Sequence, residues 1–120
     1  MGNEAERFEF VSEFVALFNA QQQDVYETAK SKGWWDEPKD DGTLIALMHS
    51  ELSEALEALR HGNPPDDKIP EFSGVEAELA DVVIRIMDYA AAKKLRVAEA
   101  IQAKAMYNKT RPFRHGGKAF

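Results

Sequence analysis

The chain has 120 residues, 44% of them hydrophobic, with Phe 7, Trp 2 and Tyr 3, which is enough for one folded domain and too much for a disordered chain. It contains no cysteine, so disulfides and thiolate metal sites are excluded. A formal net charge of −6 argues against nucleic acid or an anionic membrane surface as partner. The opening MGNEAERFEF carries acids where a secretory signal carries bases, and no apolar run approaches membrane-spanning length, so a cytoplasmic protein is expected.

Four helices are predicted and nothing reads as a sheet. The first covers about residues 4–30, with Phe10, Phe14, Leu17 and Phe18 at three- and four-residue spacing. Gly33 ends it, and Trp34-Trp35-Asp36-Glu37-Pro38 opens a loop that continues to Gly42. The second helix is expected to start near Thr43 as N-cap and to stop at His61-Gly62. Asn63-Pro64-Pro65-Asp66-Asp67 forces a non-helical connection. Ser73 and Glu76 have the spacing of a capping box for the third helix, which runs to Lys93 or Lys94. A fourth covers about residues 97–107, before Arg111-Pro112 and the glycines. The expected fold is all-α: a four-helix bundle in one domain over residues 1–120, with a basic tail from about residue 108.

At 100° per residue, Leu44, Leu47, Met48, Leu52, Ala55 and Leu59 gather on one side of the second helix. Glu51 falls inside that apolar arc and Glu54 at its edge. On the third helix the inner stripe is Val75, Leu79, Val82, Val83, Ile86 and Ala90, flanked by Glu78 with Asp81 nearby. An acid facing a core is expensive unless its charge is compensated. Residues three apart are neighbours on a helix, so each pair sets two carboxylates side by side. Two such helices face to face would gather four carboxylates, which repel unless protonated, paired with bases or holding a cation. Oxygen-only ligands suit a hard ion, Mg²⁺ or Mn²⁺. The alternative is pairing with Arg60, Arg85 or a lysine. Arg85, four residues after Asp81, is expected to pair with it along the helix, the alternative being to reach a phosphate oxygen; Asp88, a turn further on, could extend the acidic row but is expected to be an exposed charge.

The segments Leu47-Met48-His49-Ser50-Glu51-Leu52-Ser53-Glu54 and Glu78-Leu79-Ala80-Asp81, followed by Asn108-Lys109-Thr110-Arg111-Pro112-Phe113-Arg114-His115-Gly116-Gly117-Lys118, resemble the MazG-like family of all-α nucleoside triphosphate pyrophosphohydrolases. The resemblance covers about residues 44–118. It departs at Ser50, where the family pattern has a further Glu. It implies Mg²⁺ held by Glu51, Glu54, Glu78 and Asp81, and cleavage of a (deoxy)nucleoside triphosphate between its α- and β-phosphates, with a role in nucleotide-pool house-cleaning. It also implies a homodimer or homotetramer with sites near subunit contacts.

Lys104, Asn108, Arg111 and Lys118 are the candidates for phosphate binding, with Arg114 and His115 beside them; the basic tail can also be read as a solvated terminus. Trp34 and Trp35 could stack on a base or simply cap the core. Two other functions fit the same residues: a phosphoribosyl-ATP pyrophosphatase-like enzyme, and a non-catalytic helical module binding a nucleotide or a protein.

Overall fold

A computed structural model describes residues 4–113, with side chains from residue 13 onward. Those residues form four helices and no named strand: α1 (Glu4–Ser31), α2 (Asp41–Arg60), α3 (Gly74–Lys93) and α4 (Val97–Lys109). The all-α expectation holds, and none of these helices is long and apolar enough to cross a membrane.

The helix ends follow the local chemistry. Gly33 takes φ +84°, a conformation that costs a Cβ-free residue little, and so releases the chain from α1. The N-cap of α2 is Asp40 rather than Thr43. Its carboxylate accepts from the Gly42 amide at 2.9 Å and from the Thr43 hydroxyl. A carboxylate at Ncap answers both the orphan amides and the helix dipole, which a threonine three residues further in cannot do. The capping box of α3 forms as its spacing predicts: the Glu76 amide donates to Ser73 Oγ, and the Ser73 amide to Glu76 Oε1.

The chain divides into two compact units. One is Gln21–Lys94; the other combines residues before Gln21 with those from Leu95 onward. In the first, α2 and α3 pack as an antiparallel hairpin, Glu51 opposite Arg85 and Ala58 beside Gly74. A Cβ on Gly74 would lie 2.9 Å from that of Ala58, so glycine is what lets the helices meet this closely. Their connection is tied down as well. Asn63 Oδ1 accepts from the Val75 amide at 2.8 Å, and the Asp66 carboxylate accepts from the amides of Lys68 and Ile69.

The core of this unit is small: Leu44, Ala55, Ala77, Met87 and Ala90. The periodic faces are only partly covered. Leu47, Met48, Val75, Val82 and Ile86 are half-buried, whereas Leu52, Leu59, Leu79 and Val83, expected inside, are exposed. The reason is geometric: one helix facing another covers less than the apolar arc each carries. In the second unit Ala98 is buried, Phe14 and Phe18 stack at 5.7 Å, and the Asn19 amide reaches Glu99 Oε1 at 3.5 Å.

Candidate metal and phosphate site

The α2–α3 interface gathers acids. Glu51 from α2, with Glu78 and Asp81 from α3, each present a carboxylate oxygen within 4.8 Å of the others'. Helical spacing places Glu78 and Asp81 on adjoining flanks of α3, and the antiparallel packing sets Glu51 against them. Glu54, one turn along α2, is exposed beside the trio, close enough for its charge to act on Glu78.

Such crowding has an electrostatic consequence. Burial, a hydrogen bond with Glu51 and the charges of Asp81, Glu51 and Glu54 push the Glu78 carboxyl up to about 7. Burial and the Glu51 charge push Asp81 up, against the opposing pull of Arg85. Crowding therefore favours a shared proton or a compensating positive charge in the cluster.

Part of that charge comes from Arg85. Its Nε donates to Glu51 Oε1 at 2.8 Å, with side-chain exposures of only 31% and 15%. The expected pairing along the helix with Asp81 gives way to this one across the hairpin, because Glu51 lies on the face turned to α3. Asp88 corrects a second expectation. It is buried, and its Oδ1 accepts from Trp35 Nε1 at 2.9 Å. That bond and Arg85 lower its pKa, but burial outweighs them and the net direction is upward. Asp81, Arg85 and Asp88 recur at four- and three-residue intervals, so the periodicity places Asp88 on the acidic row of α3, while its burial comes from the packing of Trp35.

The acids border a cavity of about 750 Å³, lined by Glu51, Asp81, Arg85 and Asp88, by Asp24, Val25, Thr28 and Ala29 of α1, and by Lys32, Trp34 and Lys39 of the α1–α2 connection. This lies inside the range of roughly 300–1,000 Å³ typical of small-ligand sites. Lys32 and Lys39 carry no sequence signal that separates them from ordinary surface lysines. Trp34 faces the cavity. Trp35 turns its edge to Asp88 and its ring to Tyr26, at 6.2 Å between centroids.

Lys104, Asn108 and Arg111 are exposed and belong to the other compact unit, Lys104 lying over the Tyr107 ring at 5.6 Å. Lys118, with Arg114 and His115, falls outside the described residues. Ser50 is exposed and donates to the Leu47 carbonyl at 2.7 Å, so it adds nothing to the acidic cluster.

A divalent ion suits this donor set. Carboxylate oxygens are hard ligands, and Mg–O distances of roughly 2.0–2.1 Å put opposite ligands a little over 4 Å apart. Glu51, Glu78 and Asp81 offer oxygens within 4.8 Å of one another. No family model, curated protein or solved structure matches the chain.

Proposed function

We propose that the protein is a Mg²⁺-dependent nucleotide pyrophosphohydrolase that cleaves a (deoxy)nucleoside triphosphate to the monophosphate and pyrophosphate. The observation that carries this reading is the convergence of Glu51, Glu78 and Asp81 beside a cavity of nucleotide-compatible size. The resemblance to the MazG-like family supplies the reaction class. Glu51, Glu78 and Asp81 would hold the metal, with Glu54 completing the set from the exposed flank. Bound there, Mg²⁺ would offset triphosphate charge and acidify a water.

The residues of the chain divide the remaining work. Glu78, its carboxyl raised by crowding, would release its proton more readily with a cation bound beside it. Arg85 keeps Glu51 turned to the α3 side of the hairpin. Buried Asp88, bonded to Trp35, fixes the connection that walls the cavity. Asn108 and Arg111, followed by Lys104 and Lys118, are proposed to meet the leaving pyrophosphate.

The proposed assembly is a homodimer, or a tetramer of dimers, that completes a MazG-like four-helix bundle. Its support is the uncovered apolar stripe on α2, where Leu52, Leu56 and Leu59 are 46%, 49% and 54% exposed.

The test is pyrophosphate release from a panel of nucleoside triphosphates with Mg²⁺ and with chelator. Metal-dependent release from at least one triphosphate is expected. A folded, metal-loaded protein that cleaves none of them is a binding module, the reading that Ser50 favours.

A further inference from the structure

The cavity carries four carboxylates, yet among the described residues its two lysines have no acidic partner. Neither Lys32 nor Lys39 makes an ion pair with a carboxylate among the described residues, although four carboxylates line the same cavity. Lys39 instead rests on the Trp34 ring, its Nζ 4.5 Å from the centroid. The Arg85 guanidinium lies 5.6 Å from the same ring. An aromatic face attracts a cation without neutralising it, so the full charge stays available to a ligand. Arg85 spends only Nε on Glu51; among the described residues its other N–H groups make no hydrogen bond.

We propose that Lys32, Lys39 and Arg85 form a polyphosphate-binding subsite in this cavity, with Trp34 as the shelf that holds two of them in place. The ligand class is the phosphate chain of a nucleotide or free pyrophosphate. The inference rests on the pyrophosphohydrolase reading for its neighbour, the metal, and it adds a grip on the phosphates at the α1–α2 connection to the candidates of the C-terminal segment. It also gives Trp34 a role other than stacking on a base. A ring already bearing Lys39 and Arg85 positions cations. Arg85 joins the two halves of the site, because one guanidinium can hold Glu51 through Nε and a phosphate oxygen through its terminal nitrogens.

The experiment titrates inorganic pyrophosphate into the full chain loaded with Mg²⁺, by calorimetry and by tryptophan emission. Lys32→Ala and Lys39→Met, which keeps the stem on the ring, should each weaken binding roughly tenfold, the value of one charge-assisted contact. The double variant should lose about a hundredfold, and Lys39→Arg should restore most of its share. Lys68→Ala, outside the cavity, should change nothing. Circular dichroism of each variant verifies the fold, and neither lysine is buried.

Wild-type pyrophosphate affinity in the double variant overturns the subsite, as does a wild-type protein that binds no pyrophosphate. The two claims fail separately. If triphosphates are cleaved and the double variant keeps its KM, the subsite falls and the enzyme stands. If pyrophosphate binding depends on the lysines but no triphosphate is cleaved, the subsite stands and the hydrolase reading falls.

Discussion

Removing the negative charge of Glu78 should stabilise the metal-free protein at neutral pH, and the size of the effect follows from its surroundings. Its carboxyl is raised from the ordinary 4.5 to about 7. Between those values the folded chain keeps a proton that the unfolded chain has released. Stability therefore falls as pH rises through this window: the contribution is whole below 4.5 and gone above 7. At full strength the difference is about 3.4 kcal/mol, but solvent screening at a partly exposed cluster reduces it to about 1 kcal/mol. For a chain of this size that is a Tm change of about 4 °C.

The raised Asp81 and Asp88 act in the same direction, from a lower starting pH. The lowered Asp40, Asp66 and Glu76 contribute stability that is lost only in more acidic solution, so they do not mask the fall driven by Glu78, Asp81 and Asp88. Thermal unfolding in chelator, followed by circular dichroism across pH 5–7.5, should show Tm falling by about 4 °C. Glu78→Gln should flatten the profile and melt higher than the native sequence at pH 7.5. With saturating Mg²⁺ the native slope should reverse, because a metal bound by deprotonated carboxylates stabilises the fold more as pH rises. A chelated protein whose Tm rises from pH 5 to 7.5, or a Glu78→Gln variant less stable at neutral pH, would refute the reasoning.

Asp81→Asn and Glu54→Gln should each abolish metal-dependent turnover while leaving the helical signal intact; an active Asp81→Asn enzyme removes Asp81 from the metal set. Trp35→Phe deletes the indole donor to buried Asp88 and should cost about 1–2 kcal/mol in urea unfolding, so an unchanged midpoint would show that the bond contributes nothing. Leu56→Glu places a charge in the uncovered stripe of α2 and should convert a dimer to monomer by light scattering; a native mass unaffected by it would place the subunit contact elsewhere.

Helix positions were legible because period and punctuation agree: apolar residues at three- and four-residue spacing, Gly33 and Gly62 at the ends, and the Ser73–Glu76 box. Glu51 was legible for a related reason, as a charge inside an apolar arc has few explanations. The same wheel misplaced Leu52 and Leu59, because an arc states what can be buried and not what one partner helix covers. Periodicity describes one helix at a time, so it favours the Asp81 partner for Arg85 and cannot single out Glu51 among the acids that could pair with it. The hydrogen bond to Glu51 depends on the register of α2 against α3, which no local pattern encodes. The Trp35–Asp88 bond and the place of Lys39 on Trp34 arise from a loop, where spacing carries no directional information.

The most direct measurement of the central claim is hydrolysis of a nucleoside triphosphate with Mg²⁺ in ¹⁸O-labelled water, the products resolved by mass spectrometry. The account predicts monophosphate and pyrophosphate in equal amounts, the label on the monophosphate, and no reaction in chelator. Diphosphate with inorganic phosphate, or an intact triphosphate in the presence of metal-loaded protein, would contradict it.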